Sequence, residues 1–277
     1  MLLATLSAIS LVTAVLICLM CGGFACLAWL WILPVSFVGT LALLALLAYL
    51  FLLYLCSKVD QDVPQEDEDP FYRKVVNLYI ESVLPCLRVH IKHSGTEKVP
   101  QNGRFLLVCN HNNDSDPVMI MRVLPKHQLA FIAKKEAKTR FIVGPMMHKL
   151  LCQLINREND REALKTILRC IQILKEDKAS VAVFPEGGIL SQDEKLHHFR
   201  PGVFKIAQKA KVPIVICTLR GTVPVMYNIT HFKRSDVELR VVDVIPAEEL
   251  EDVTAVDISN RVYQIMADDL GPERIAD

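Results

Sequence analysis

For its first 57 residues the chain has no polar face. Leucine, alanine, valine, isoleucine and aromatic residues run almost without interruption, and no charged side chain occurs before Lys58. One helix of that length, at 1.5 Å per residue, would far exceed the roughly 30 Å hydrocarbon core of a bilayer. The run therefore predicts a transmembrane helical hairpin, with spans near 3–31 and 35–56 and breaks at Gly22-Gly23 and Pro34. One tilted span with an interfacial piece is the alternative. The stretch is too long for the apolar core of a signal peptide and lacks a basic leader.

After Ser57 the pattern changes twice. Residues 58–70 read as a solvated acidic linker. Phe71, Val75, Val76, Leu78, Tyr79, Val83 and Leu84 then recur at helical spacing, which predicts an amphipathic helix lying either on a lipid surface or against its own domain. From residue 88 short apolar runs alternate with helical stretches. Val89–Lys92, Phe105–Cys109, Leu129–Ala133, Ser180–Phe184, Pro213–Leu219 and Val237–Val244 read as strands; 161–175, 202–211 and 257–270 read as helices. In the helix at 161–175, Leu164, Ile167, Leu168, Ile171 and Leu174 form the expected inward face. This alternation predicts an α/β layered domain with a largely parallel or mixed sheet flanked by helices. The expected organisation is a membrane segment over 1–57, a linker and amphipathic helix over 58–87, and the α/β domain over 88–277.

Charge alters this picture only in its distribution. The 31 basic and 31 acidic residues cancel, yet all lie beyond residue 57. Lys58, Arg73 and Lys74 follow the second span and favour a cytoplasmic α/β domain. The nine cysteines sit mostly among apolar neighbours and read as reduced thiols rather than a disulfide framework. Cys18-x2-Cys21 lacks a second pair, and His197-His198 lacks further ligands at metal spacing, so no metal is expected.

Chemistry concentrates after the strand ending at Cys109. Asn110-His111-Asn112-Asn113-Asp114-Ser115-Asp116 places a histidine and an aspartate five positions apart, and Pro117 opens the next helix. In a regular helix that spacing would set the two side chains about 140° apart, so a turn must bring them together. A carboxylate on one imidazole nitrogen fixes the tautomer and leaves the other nitrogen as a general base. Asp116 is expected to cap the helix as well.

Three more segments follow in order: Ile155-Asn156-Arg157, Phe184-Pro185-Glu186-Gly187 and Val212-Pro213-Ile214-Val215. Together with the His111 block they resemble the glycerolipid acyltransferases that include the 1-acylglycerol-3-phosphate O-acyltransferases, over about residues 88–225. The resemblance implies transfer of a fatty acyl group from acyl-CoA or acyl-carrier protein to a lysophospholipid hydroxyl. It implies His111 as base, Asp116 as its orienter and direct attack without a covalent acyl-enzyme. Arg157 would hold the acceptor phosphate; Asn110, Lys134, Glu186, Gly187 and Arg200 complete the expected substrate-binding set. Neither redox cofactor nor metal is required, since the thioester is already activated. The family normally continues after Glu-Gly with a small polar residue and an arginine, whereas this chain has Gly188-Ile189. That departure shifts the phosphate contacts toward Arg157, Lys195 or Arg200, or implies another head group. Two other readings remain open at this point: a lipid hydrolase in which His111 activates water or Ser115, and a membrane scaffold with a residual motif.

Overall fold

The computed structural model describes residues 2–22 and 27–276. It divides into two compact units, residues 1–60 and 61–277.

The first unit is a helical pair. α1 (Leu2–Met20) and α2 (Trp29–Ser57) pack against each other and are both long and apolar enough to cross a membrane. At 1.5 Å per residue they extend about 28 and 43 Å. The chain leaves α1 at Cys21-Gly22, while Gly23, also expected as a break, lies outside the described residues. Pro34, the other expected break, lies inside α2. It falls near the helix start, where only one backbone hydrogen bond is lost. Ser10, Ala14 and Cys18 form a buried stripe of small residues along α1, spacing that permits close helix contact. Hydroxyls in both helices are satisfied internally: Ser10 Oγ donates to the Leu6 carbonyl at 2.8 Å and Thr40 Oγ1 to that of Ser36 at 2.7 Å.

The second unit is built on a seven-stranded sheet. Its strands are β1 (Val89–Ser94), β2 (Leu106–Cys109), β3 (Leu129–Lys134), β4 (Gln153–Ile155), β5 (Ser180–Val183), β6 (Ile214–Arg220) and β7 (Ser235–Ile245). They lie in the order β1-β7-β6-β2-β5-β3-β4; only β6 and β7 pair antiparallel. β2 and β5 are buried throughout, as expected of central strands covered on both faces. Leu106 and Val108 point into one core, with Cys170, Ile173, Phe204, Val262 and Met266 from the helices α6 (Asp160–Lys175) and α9 (Ala255–Leu270) and the turn before α7 (Lys205–Ala210). Phe105, Leu107 and Cys109 point into the other, with Leu84 of α3 (Pro70–Cys86) and Met119, Ile120 and Met121 of α4 (Asp116–Val123). Two short helices complete the connections, α5 (Val143–Lys149) before β4 and α8 (Val225–Thr230) between β6 and β7. β4, three residues long, is too short to show a period in the sequence.

Two expectations change here. The 58–70 stretch is not a free linker, because Glu68 is buried in an ion pair with Arg73, and Arg73 Nη2 donates to the Leu129 carbonyl at 3.0 Å. The same contact fixes α3, whose Tyr72, Val75, Ser82 and Leu84 are buried, so its apolar face packs on its own domain. In α6, Ile167, Ile171 and Leu174 face the core as expected, whereas Leu164 and Leu168 are exposed and Cys170 and Ile173 take the remaining core positions.

Candidate active site

In a parallel sheet, connections leaving the carboxyl ends of the strands gather at one edge, where ligands bind. Here that edge receives the His111 turn from β2, Asn156-Arg157 from β4, Phe184–Gly188 from β5 and Lys134 at the end of β3. Four separate sequence segments are thereby brought together.

Asp116 organises the turn. Its side chain is fully buried, and Oδ2 lies 2.9 Å from His111 Nδ1 while accepting from the Asn112 and Asn113 amides at 2.7 and 2.8 Å. The carboxylate thus faces back into the turn and does not cap α4, whose first carbonyl partner is Ser115, accepting from Val118 and Met119. This corrects the expected cap; both functions compete for one carboxylate, and the turn amides with the imidazole outnumber the helix end. A single side chain so ties the ring and loop to one geometry. The imidazole stacks on Phe184, with ring centroids 4.1 Å apart and planes 15° apart. With Nδ1 held, Nε2 is the nitrogen left to meet a substrate. Ser115 Oγ is buried without a hydrogen-bond partner among the described residues and does not engage His111.

Asn110 and Glu186 are used differently from the expected substrate contacts. Asn110 is buried, donates from Nδ2 to the Leu219 carbonyl and accepts the Leu219 amide on Oδ1, both at 2.8 Å. Asn112 donates to the same carbonyl at 3.1 Å. The two asparagines therefore lash the turn to β6. Glu186 is also buried; Oε1 accepts the His111 amide at 2.9 Å and Oε2 that of His197 at 3.4 Å. Paired with backbone amides on both oxygens, it ties the β5 end to the His111 turn. Sequence alone shows neither role, because each partner is a main-chain group more than ten positions away.

Burial raises the Glu186 carboxyl to about 8, against the opposing pull of the His111 and His197 amides and with a further push from Asp116. The folded state therefore holds a proton there that the unfolded chain releases in the ordinary carboxylate range, so stability is greatest below that range and declines as pH rises through about 8. In Glu186→Gln this dependence should vanish. Unfolding free energies of the two proteins, followed from pH 5.5 to 8.5 in detergent, should diverge in the variant's favour by about a few kcal/mol. Parallel curves would show that Glu186 does not titrate in this way.

Cations converge on the neighbouring glycines. Gly187 has φ +82°, a left-handed backbone, and a Cβ there would fall 2.6 Å from Arg200 Nε. A Cβ on Gly188 would fall 2.9 Å from Arg157 Nη1 and 3.8 Å from Lys134 Nζ. Burial and then the Arg200 charge lower the Arg157 pKa, with Glu136 opposing. Two guanidiniums close enough to repel, with no ion pair at Arg157, Arg200 or Lys134 among the described residues, make a cluster of donors suited to an anion. They occupy the space beside the pair of residues in which the chain departs from the family pattern.

A buried aspartate orienting a histidine beside a cationic socket, at the carboxyl edge of an α/β sheet, is a site suited to proton abstraction from an anionic acceptor. The family model described as Acyltransferase matches residues 90–220. A probable 1-acyl-sn-glycerol-3-phosphate acyltransferase of Mycoplasma pneumoniae is 30% identical over 60% of this chain and 62% of its own length. The 1-acyl-sn-glycerol-3-phosphate acyltransferase of Saccharomyces cerevisiae is 27% identical over 66% of this chain and 61% of its own. That of Bacillus subtilis is 30% identical over 50% of this chain and 67% of its own. The chain thus spans less than two thirds of the first two relatives. The crystal structure of the 1-acyl-sn-glycerophosphate (LPA) acyltransferase PlsC from Thermotoga maritima shares the fold, with TM-score 0.59 and 20% identity over 78% of this chain and 84% of that one. The chain belongs to the acyltransferase family that these 1-acyl-sn-glycerol-3-phosphate acyltransferases represent.

Proposed function

We propose that this protein is a membrane-bound O-acyltransferase that moves a fatty acyl group from acyl-CoA or acyl-carrier protein to the free hydroxyl of 1-acyl-glycerol-3-phosphate, giving phosphatidic acid. The observation that carries this reading is the His111–Asp116 contact of 2.9 Å with Asp116 buried. Asp116 holds Nδ1, so Nε2 takes the proton of the acceptor hydroxyl as its oxygen attacks the thioester carbonyl; the C–S bond then breaks and the imidazolium returns the proton to the leaving thiolate. The Ser115 hydroxyl, which has no hydrogen-bond partner among the described residues and does not engage His111, favours direct attack over a covalent acyl-enzyme.

Arg157 and Arg200, with Lys134, receive the acceptor phosphate, which makes up for the arginine absent at Ile189. Activation resides in the thioester, so the reaction as written requires neither a metal nor a redox cofactor. The apolar helices α1 and α2 anchor the enzyme where its acceptor and product reside, with the second unit on the cytoplasmic side.

Purified protein given labelled acyl-CoA or acyl-carrier protein and a panel of lysolipids should form labelled phosphatidic acid from the phosphate-bearing acceptor. Free fatty acid as the sole product would replace this reading with a hydrolase. In the same assay Arg157→Ala should raise KM for the phosphate acceptor by about 10–100-fold, the worth of a charge-assisted contact, with a smaller change in kcat. An unchanged KM would remove Arg157 from head-group recognition.

A further inference from the structure

The connection from β5 to α7 carries Glu186, Gly187 and Arg200, yet over residues 188–199 it contains no helix or strand of its own and must be held from outside. The segment after α9 holds it. Gly271 ends that helix at φ +91° and ψ +156°, a backbone open essentially to glycine alone, and the chain turns there onto the β5–α7 connection. The Leu196 amide donates to the Arg274 carbonyl at 2.7 Å and the Ala276 amide to the Leu196 carbonyl at 3.1 Å, a parallel bridge centred on Leu196 and Ile275. Leu196 is fully buried, and Ile275 packs on the same core.

Side chains add a second grip. Arg274 forms an ion pair with Glu194, whose side chain is only 13% exposed, and the other Glu194 oxygen accepts the Val223 amide of the β6–β7 connection at 3.3 Å. Glu194 sits at φ +57°, in the left-handed region that a residue with a Cβ seldom adopts, so its backbone is held there by these contacts. The Arg261–Glu249 pair of α9 differs, because its two side chains are 49% and 48% exposed and meet in water.

One residue beyond Leu196 the grip reaches the candidate active site. The His197 amide donates to Glu186 Oε2 at 3.4 Å, and Glu186 Oε1 accepts the His111 amide at 2.9 Å. Further on, the Arg200 amide donates to the Pro185 carbonyl at 2.8 Å, which closes the connection on itself and sets the Arg200 guanidinium beside Gly187. A hold at residues 194–196 is thereby passed to the turn that bears His111 and to the cations.

We propose that residues 271–276 are a clasp on the β5–α7 connection, with Arg274 and Glu194 as positioning residues that set Arg200 toward the acceptor phosphate and Glu186 against the His111 amide. The purpose of the clasp rests on the acyltransferase reading; the coupling does not.

Amide hydrogen exchange in the full chain, reconstituted in nanodiscs, reads that coupling without turnover. In Arg274→Met, exchange should quicken about tenfold or more over 194–198 and, through Glu186, over 110–113, while β1 and α6 keep wild-type rates. Arg274→Lys, which retains the charge, should restore both segments, and Arg261→Met should change neither. Glu194→Gln keeps an oxygen for the Val223 amide and should reproduce Arg274→Met, which provides a milder variant if the first fails to fold. Quickening confined to 194–198, or spread evenly over the domain, would reduce the segment to a structural contact and overturn the proposal. In turnover, Arg274→Met should raise KM for the phosphate-bearing acceptor about tenfold, since a displacement of about 1 Å at a site can cost about a hundredfold. Arg274→Lys should return KM to the wild-type value. Coupled exchange with an unchanged KM would overturn the positioning role. A wild-type protein without acyltransferase activity would instead overturn the reading of the reaction, and the exchange pattern would still decide the clasp.

Discussion

Replacing His111 with alanine is expected to lower kcat for acyl transfer by about 10²–10⁴-fold, the usual worth of a positioned general base, while the protein remains folded. Three features lead to this. Nδ1 is held by a buried carboxylate, the ring is kept planar against Phe184, and the polypeptide before it is pinned through Asn110 to Leu219. The imidazole keeps an edge open to solvent, its side chain being 15% exposed, and the His111 backbone amide, which Glu186 accepts, survives the substitution. Loss of turnover should therefore come without loss of near-ultraviolet circular dichroism. A folded His111→Ala protein with wild-type turnover would place the chemistry elsewhere.

Asp116→Asn is expected to be nearly as damaging, by about 10²–10⁴-fold in kcat, for a different reason. Oδ2 serves His111 and two amides at once, while Oδ1 is buried with no hydrogen-bond partner among the described residues. If the amide oxygen of the variant keeps the Oδ2 position, its NH2 group is buried at Oδ1 without an acceptor. If it flips, the NH2 group faces two amide donors and selects the tautomer with Nε2 protonated, which cannot act as a base. Either arrangement should also destabilise the fold by about 1–3 kcal/mol, the range for an unsatisfied buried polar group. Because the aspartate acts through the histidine, His111→Ala/Asp116→Asn should be no slower than His111→Ala alone. Multiplying losses in the double variant, or Asp116→Asn near wild-type turnover, would show that Asp116 does not act through His111.

What could be read from the sequence was whatever repeats locally or lies close along the chain. An uncharged run of 57 residues, the alternation of β2, β5 and β6 with amphipathic helices, and a histidine five positions before an aspartate are all short-range patterns. Burial preference and backbone geometry act on those scales, so the α/β class, the apolar helical pair and the His111–Asp116 turn were legible. Strand order is different: it joins β2 to β6 on one side and to β5 on the other, strands far apart in sequence, and is set by packing of the whole domain. Only that long-range pairing lashes Asn110 to Leu219, turns Glu186 onto the His111 amide and gathers Arg157, Arg200 and Lys134 around Gly187 and Gly188. It also decided that α3 buries its apolar face in its own domain. The His111–Asp116 pair was thus determined by neighbours in sequence, whereas the supports that hold it and the cations near it depended on neighbours that exist only once the sheet has formed.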